Sequence, residues 1–331
     1  TKPFYTVKAL DVSIPKGRMI AVTGVSGSGK TSLVIECLVP ALQAVIQGTK
    51  LPEHVDSIEA KGIQSVKVID SKPIGANVRS TVATYDGVFD DLRKLFARTA
   101  DAKAKGLTAG DFSYNTGKLR CPVCDGTGII TMDVQFLPDV DTICPSCGGS
   151  RYGKDAYDIL WKSKEKDSVS VSLPGLLKLT VEEAAGILHE ETKIAKQLKI
   201  LQDLGVCYLT LGEATPALSG GEAQRLKLAY EMETPQQGSV FVFDEPTIGL
   251  HPQDVKKLVL IFDHLIQLGA TVIVIEHDLE LVTNCDYIID MGPWGGTEGG
   301  RVVVEGTPEA VAATSESITG RYLKQELAED K

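Results

Sequence analysis

An eight-residue stretch near the start of the sequence carries the pattern that most directly predicts chemistry. It fits G-x-x-x-x-G-K-[ST] without a mismatch and consists of Gly24, Val25, Ser26, Gly27, Ser28, Gly29, Lys30 and Thr31. Glycines in such a loop let backbone N–H groups point at phosphates, the lysine reaches the β- and γ-phosphates, and the final hydroxyl binds Mg²⁺. The loop therefore predicts a site for ATP and Mg²⁺, and the alternative is a chance glycine-rich turn.

Four cysteines further along the chain form two Cys-x-x-Cys pairs. Their spacing is C-x₂-C-x₁₉-C-x₂-C, and the residues are Cys121, Cys124, Cys144 and Cys147. Each pair places two thiolates on one tight turn, and the glycines that follow free N–H groups to donate to the sulfurs. Four sulfur ligands leave no open position for water, so the spacing predicts a structural Zn²⁺ site. A thioredoxin-type redox pair is the alternative.

Three further segments place polar residues next to apolar patterns. A second glycine-rich loop, Leu218–Glu222, precedes a helical pattern and is a candidate phosphate site without a lysine. Two apolar strand patterns end in polar residues, which are Asp244 and Glu245 after the first and His277 after the second. Functional groups collect at the carboxyl ends of buried parallel strands. A helix-capping role for Glu245 and a purely structural role for His277 are the alternatives.

The elements that would position these residues can also be predicted. The apolar run Met19–Val22 predicts a strand before the phosphate loop, and a helical pattern from Ser32 to about Gln47 follows it. Partial alternation over Val7–Ile14 predicts another strand. Thr180 and Glu183 fit a capping box that opens a helix. Strand, glycine loop and helix is the context that the phosphate-loop motif requires.

Composition limits the classes of protein that fit. The chain has 331 residues, 43% hydrophobic and 24% charged, which is typical of one large or two ordinary globular domains. It lacks an apolar run of 18 residues, so we expect no membrane span and no membrane partner. A net charge of −10 disfavours indiscriminate nucleic-acid binding but allows a local basic face. The cysteines do not fit a secreted disulfide framework, which favours the reducing cytoplasm. The first residue is Thr, as expected of a processed or truncated piece.

Four of these features together resemble the motif set of ABC ATPases. They are the phosphate loop, the loop Leu218–Glu222, the strand that ends in Asp244 and Glu245, and the strand that ends in His277. The resemblance implies that Asp244 holds Mg²⁺, that Glu245 polarises the attacking water, and that His277 senses the γ-phosphate. It also implies that Ser219, Gly220 and Gly221 contact the γ-phosphate bound to another domain. Because the sequence holds one copy of each motif, ATP hydrolysis would need a composite site, made with a second copy of the chain or with an N-terminal half.

The long segment between Lys30 and Asp244, which contains the cysteine pairs, narrows the resemblance to the C-terminal half of the UvrA family. Other matching motifs are Pro73–Gly75, Ala83–Tyr85, Phe112–Asn115, Gln135–Val140, Leu209–Leu211 and Asp290–Pro293. This resemblance implies a DNA-damage sensor of nucleotide excision repair that dimerises and transfers the damaged site to UvrB. It implies ATP, Mg²⁺ and Zn²⁺ as cofactors and DNA as a partner.

The expected fold class is α/β, an ABC-type P-loop ATPase with an inserted α-helical signature region and a four-cysteine zinc module. We expect the first part of the ATPase core over 1–98, an inserted region over 99–205 with the zinc module at 121–147, and the signature motif with the second part of the core over 206–331. Basic residues near the module are candidate DNA contacts, with a solvated polar face as the alternative. These residues are Arg79, Lys118, Arg120 and Arg151.

One departure from the family pattern affects the expected activity. Ser71 occupies the position of the family's Q-loop glutamine, which touches Mg²⁺ and the attacking water. This difference and a few others fit a diverged UvrA-like paralogue. The alternative function is therefore a UvrA-like drug-resistance protein or an ATP-dependent switch with weak hydrolysis.

Overall fold

A computed structural model describes residues 1–75, 77–132, 140–164, 169–232 and 236–329. The chain divides into two compact units. Unit 1 consists of Thr1–Lys72 and Glu231–Lys331, and unit 2 of Pro73–Tyr230. Of the family motif Gln135–Val140, only Val140 falls within the described residues.

The described residues form ten strands, which share a short length of three to six residues. In chain order they are β1 (Met19–Gly24), β2 (Ser65–Ile69), β3 (Ile129–Met132), β4 (Val140–Ile143), β5 (Leu160–Lys162), β6 (Ser170–Ser172), β7 (Ser239–Asp244), β8 (Thr271–Ile275), β9 (Tyr287–Gly292) and β10 (Arg301–Gly306).

The described residues also form twelve α-helices, in both units. In chain order they are α1 (Val39–Gln47), α2 (Val82–Tyr85), α3 (Val88–Ala97), α4 (Ala100–Ala104), α5 (Leu173–Leu177), α6 (Val181–Ile187), α7 (Thr192–Asp203), α8 (Gly220–Met232), α9 (Pro252–Gln267), α10 (Leu279–Thr283), α11 (Pro308–Ala312) and α12 (Ile318–Glu329). A π-helical segment spans Ser32–Leu38, and 3₁₀ turns span Lys154–Ala156, Thr215–Ala217 and Gly296–Glu298. No helix of the described ranges combines the length and hydropathy that crossing a bilayer requires.

Unit 1 is built on a six-stranded sheet with the order β10-β9-β1-β8-β7-β2. All neighbouring pairs are parallel except β9 and β10, which are antiparallel. Strands β1, β7 and β8 are buried along nearly their whole length because both of their faces are apolar. Val22 of β1 and Asp244 of β7 both pair with Ile275 of β8, so the three strands end at one edge of the sheet.

The helix predicted after the phosphate loop is confirmed, and it changes its hydrogen bonding on the way. Its first part is the π-helical segment, which continues directly into α1. Helix α1 ends before Gly48, whose backbone is left-handed. Pro40 lies in the first turn of α1. Because proline has no N–H and cannot close an intrahelical bond, a change of helical type at this point is expected. Leu33, Val34 and Leu42 pack against the sheet.

The prediction of a strand over Val7–Ile14 is wrong. Only Val7 makes an isolated bridge, to Phe4, and residues 8–14 contain no strand. Leu10, Val12 and Ile14 nevertheless pack against the core of unit 1 with partly buried side chains. The alternating apolar side chains therefore contact the core, but the backbone of this segment is not paired with a strand of the described sheet.

Unit 2 combines helices with two small antiparallel pairs, β3–β4 and β5–β6. Helix α3 packs against α5 and α7. The capping box predicted at the start of α6 is confirmed, because the Thr180 hydroxyl accepts from the Glu183 N–H and the Glu183 carboxylate accepts from the Thr180 N–H.

Candidate functional site

The phosphate loop leaves the buried strand β1 in a conformation that only glycine accommodates easily. Gly24, Gly27 and Gly29 have φ values of 127°, 75° and 99°. A Cβ atom on Gly24 would lie 2.0 Å from the Met291 carbonyl oxygen. Since L side chains disfavour positive φ and this one would also clash with backbone, the glycines are structural requirements of the loop.

Lys30 lies across this loop. Its Nζ donates to the carbonyl oxygens of Gly24, at 2.9 Å, and Val25, at 3.1 Å. Burial lowers the pKa of Lys30, while the carboxylates of Glu245, Asp290, Asp244 and Glu276 act in the opposite direction. Lys30 is therefore a half-buried cation inside the loop that the motif predicts to bind phosphate. The Ser28 Oγ is buried and has no hydrogen-bond partner within the described residues, which suits a loop completed by a ligand.

Asp244 and Glu245 follow each other at the end of β7. Burial raises the pKa of Asp244, as do the carboxylates of Glu245, Asp70 and Glu276. Glu245 has a φ of 49°, and its N–H donates to the Ile275 carbonyl oxygen at 2.9 Å. A left-handed non-glycine residue is strained by ~1–3 kcal/mol, and such residues concentrate at functional sites.

His277 lies beyond the end of β8, next to β7 in the sheet. Its side chain is 68% exposed, and its N–H donates to the Glu276 carboxylate at 2.6 Å. The sheet order thus places the phosphate loop, Asp244, Glu245 and His277 after three adjacent strands. Glu276 was not among the residues predicted from the sequence, because a glutamate after an apolar strand gives no signal that it will be buried.

A further glycine-rich loop, Gly295–Gly300, packs against the phosphate loop. Gly296 N–H donates to the Gly27 carbonyl at 3.1 Å, and Gly300 N–H donates to the Ser28 carbonyl at 3.0 Å. A Cβ on Gly295 would lie 2.6 Å from the Ser26 carbonyl oxygen. This contact was not predicted from the sequence, since residues so far apart along the chain leave no local pattern.

Asp290 anchors the strand end that leads into the phosphate loop. Its buried carboxylate accepts from the hydroxyls of Thr23, at 2.9 Å, Ser317, at 2.6 Å, and Thr319, at 2.7 Å. Ser71, at the Q-loop position, lies two residues beyond the end of β2 and is exposed.

The loop Leu218–Glu222, which the resemblance identifies as the signature loop, belongs to unit 2 and leads into α8. Ser219 N–H donates to the Glu222 carboxylate at 2.7 Å, and the Ser219 hydroxyl accepts from the Glu222 N–H at 3.4 Å. Burial acts to raise the pKa of Glu222, but hydrogen bonds from Tyr208 and Ser219 hold it below its usual range. Ser219 and Gly220 are exposed. The helix start is therefore accessible to another molecule or domain.

The four predicted cysteines of unit 2 converge. Their Sγ atoms all lie within 4.8 Å of one another, with 4.0 Å between Cys121 and Cys144 and 3.7 Å between Cys124 and Cys147. Tetrahedral zinc with bonds of about 2.3 Å requires sulfur separations of about 3.8 Å. Gly128 N–H donates to the Cys124 sulfur at 3.3 Å, as the glycine pattern predicted. The cluster therefore has the geometry of a four-thiolate metal site.

The basic residues near this cluster differ in exposure. Arg79 and Arg120 both bind Asp125, at 3.3 Å and 2.8 Å, within the turn that follows Cys124. Arg151 is buried and donates to the Thr127 carbonyl at 3.0 Å. Lys118 pairs with Asp111 at 3.5 Å, but its side chain remains 80% exposed. Lys118 is thus the most accessible of the four candidate DNA contacts, and Arg151 contributes mainly to the fold of the module.

Comparison with known proteins gives close relatives for almost the whole chain. It is 44% identical over 328 residues, 98% of its length, to UvrABC system protein A of Staphylococcus aureus strain COL. It is 45% identical over 326 residues to the protein of that name from Clostridium acetobutylicum. In both cases the chain spans 34% of the relative's length, about a third.

A solved structure agrees with these sequence matches. The crystal structure of UvrA2 from Deinococcus radiodurans superposes with a TM-score of 0.86 at 41% identity, over 98% of this chain and 39% of that chain. No family model matches the sequence. The chain is therefore homologous to a segment of the UvrA proteins, and the predicted fold class, an ABC-type ATPase with a four-cysteine module, is confirmed.

Proposed function

Because the chain is a homologue of the UvrA proteins, we propose that it binds and hydrolyses ATP as one ABC ATPase module of a UvrA-type protein. The observation that carries the proposal is the convergence of the phosphate loop, Asp244, Glu245 and His277 at the ends of adjacent strands in unit 1. General phosphoryl-transfer chemistry needs these parts, because catalysis is mainly positioning and electrostatic stabilisation.

Each residue has a distinct role in the proposed reaction. The loop amides and Lys30 bind the β- and γ-phosphates, and Thr31 with Asp244 would hold Mg²⁺. The metal, when bound, neutralises charge that develops on the phosphate oxygens. Glu245 orients the attacking water and accepts its proton, and His277 contacts the γ-phosphate.

The site is proposed to be composite. Ser219 precedes α8, and Gly220 and Gly221 begin it. Ser219 and Gly220 are exposed, so they can contact the γ-phosphate held by another ABC domain. A helix start presents unpaired N–H groups and a positive dipole end to such an anion. The partner is a second copy of the chain or another domain of a longer protein.

We assign the four-cysteine cluster to structural Zn²⁺. Its sulfur separations fit tetrahedral coordination, and four thiolates leave no position for a reacting water. Thiolate ligands must be reduced, which favours a cytoplasmic protein. A module of this kind, with Lys118 on its surface, supports binding to the phosphates of DNA.

The activity of the whole protein is proposed from its relatives. Their name, UvrABC system protein A, supports damage-sensing DNA binding in nucleotide excision repair, with UvrB as a candidate partner. The second candidate function is a UvrA-like resistance protein or ATP switch with weak hydrolysis. The exposed Ser71 in place of the family's Q-loop glutamine favours it.

An ATPase assay with Glu245→Gln tests the proposal. Removing the carboxylate that accepts the proton from water should lower kcat by about 10²–10⁴-fold and leave ATP binding intact. Glu59→Gln, the same charge change at an exposed residue away from the sheet edge, is the control and should retain the wild-type rate. A wild-type protein that binds no ATP, or a Glu245→Gln variant with full turnover, would contradict the proposal.

A further inference from the structure

A fully buried carboxylate lies between two loops of the proposed catalytic site. Glu276 follows β8 and has 0% of its surface exposed. Its Oε1 accepts from both the N–H, at 3.0 Å, and the hydroxyl of Thr247. Its Oε2 accepts from the N–H groups of His277, at 2.6 Å, and Asp278, at 3.1 Å. One side chain thus joins the loop after Asp244 and Glu245 to the loop that carries His277.

The backbone around this carboxylate is the strained part of the site. Glu245, two residues before Thr247, is left-handed with a φ of 49° and is held by its N–H bond to Ile275, the residue before Glu276. Strain of this kind persists only where surrounding contacts fix the conformation. Glu276 supplies such contacts, since Thr247 is fixed through both its backbone and its side chain.

We infer that Glu276 is a positioning residue for ATP hydrolysis, which sets Glu245 and His277 relative to the same phosphate by fixing their two loops with one carboxylate. This inference rests on the proposed function and assigns it a residue that does not itself contact the nucleotide.

The chemistry of the side chain explains why a glutamate is required. An ionised carboxylate has two oxygens that only accept, which suits four donors from three residues. Glutamine has one acceptor oxygen, and its NH₂ group would face two donors. Glu276→Gln keeps the size of the side chain but leaves donors of one loop unpaired, so that loop is released.

The test is Glu276→Gln in the complete chain, measured by hydrogen exchange and by steady-state kinetics. We expect faster exchange at the Thr247, His277 or Asp278 amides, because their acceptor is lost. We expect kcat to fall by about 10²-fold, the usual effect of a small misplacement of reacting groups, with ATP affinity and KM within about twofold of wild type. If Glu276 made only a structural contact, the variant would have a lower melting temperature but would not show a large fall in kcat with KM unchanged.

Two controls isolate the hydrogen bonds. Glu183→Gln changes a carboxylate that also accepts from a threonine N–H and hydroxyl, at the start of α6 in unit 2, and should leave kcat unchanged. Thr247→Val should lower kcat because it removes the hydroxyl donor, and Thr247→Ser should restore it. The double variant Glu276→Gln with Thr247→Val should be no slower than the slower single variant, since both remove one shared contact.

The outcomes separate the two proposals. Unchanged hydrogen exchange at all three amides, or unchanged kcat in an active Glu276→Gln protein, overturns the role of Glu276. The role of Glu245 is tested separately by the Glu245→Gln variant. A wild-type protein without ATPase activity overturns the proposed function, and the positioning role fails with it.

Discussion

The charged side chains at the sheet edge lie close enough together to shift one another's pKa values. Lys30 is half-buried near four carboxylates, and Asp244 has three acidic neighbours and one cation. Burial disfavours the charged form of each group, and it is the main cause of both pKa shifts. Clusters of perturbed groups of this kind are typical of sites that handle phosphate and a divalent cation.

The raised pKa of Asp244 predicts how Mg²⁺-dependent nucleotide binding varies with pH. Only the ionised carboxylate binds Mg²⁺, so protons compete, and affinity should fall as pH drops through a window above the ~3.9 of an ordinary aspartate. Asp70→Asn removes one of the charges that raise this pKa, so the midpoint should move to lower pH. Comparing the variant with wild type by titration calorimetry cancels the titration of the nucleotide. A midpoint unmoved by Asp70→Asn would contradict the assignment of Asp244.

Ser71 gives a second prediction at the scale of the residue. Serine is too short to reach a metal and a water that the family's glutamine contacts, so hydrolysis should be slow while binding is normal. Ser71→Gln should raise kcat several-fold, and the control Ser71→Ala should leave it unchanged. A Ser71→Gln variant that hydrolyses ATP no faster than wild type would argue against the second candidate function, an ATP switch with weak hydrolysis.

Lys118 gives the corresponding prediction for DNA. Its exposed ammonium can contact a phosphate, so Lys118→Ala should weaken binding of every sequence and reduce the salt slope by ~1. Lys199 is a matched control, because it is also exposed and paired with an aspartate, Asp203, but lies on α7. Fluorescence anisotropy at several salt concentrations measures both. Equal losses for the two variants would argue against a specific role for Lys118.

At the scale of elements, the cysteine module stands out as a segment with little apolar core. The buried residues of its cluster are Cys121, Cys124 and Cys144, joined by the partly buried Cys147 and Ile130. The β3–β4 hairpin has exposed apolar residues, among them Met132, Val140 and Ile143. Two-stranded hairpins are marginal alone, so the proposed Zn²⁺ would supply much of the stability of this element.

Metal removal should therefore unfold the module and spare unit 1. We expect about one Zn²⁺ per chain by elemental analysis, and Cys144→Ser or a strong chelator should abolish it. Circular dichroism and limited proteolysis should show loss of order around residues 121–151, while ATP binding persists. Cys285→Ser, at a buried cysteine outside the cluster, is the control and should retain the metal. Metal content unaffected by Cys144→Ser would refute the site.

At the scale of the whole molecule, the proposed composite site requires a phosphate loop and a signature loop from different domains. They belong to different compact units of the chain, and the exposed start of α8 is available to a partner. An interface of this kind between identical subunits would be isologous and would create two equivalent sites. The predicted domain ranges 1–98, 99–205 and 206–331 stay a prediction, and the compact units are bounded at residues 72 and 230.

Complementation tests the composite site. Lys30→Ala and Ser219→Arg should each abolish turnover, one by losing the phosphate ligand and the other by blocking the signature loop. Mixing them should restore about a quarter of the wild-type rate, because half of randomly paired dimers carry one intact site. Mixing Lys30→Ala with Glu245→Gln should restore nothing, since both changes lie on the same side of the interface. Activity in either single variant would contradict a composite site in a homodimer.

The sequence by itself determined the motifs and the local elements they need. A strand, a glycine loop and a helix follow from a contiguous pattern, as do the cysteine turns and the capping box of α6, because their hydrogen bonds join residues a few positions apart. The homology to UvrA also follows from contiguous motifs and is confirmed. Residues within one such pattern carry enough information to predict their own geometry.

Only the tertiary structure decided which distant groups support the site. The strand order β9-β1-β8-β7, which no local pattern specifies, brings three such groups to the site. They are Glu276 between two loops, Asp290 in the strand next to β1, and the loop Gly295–Gly300 against the phosphate loop. The absence of a strand over residues 8–14 was also decided by the tertiary structure. A strand exists through hydrogen bonds to a neighbour, and burial of a carboxylate depends on donors that the rest of the fold brings to it.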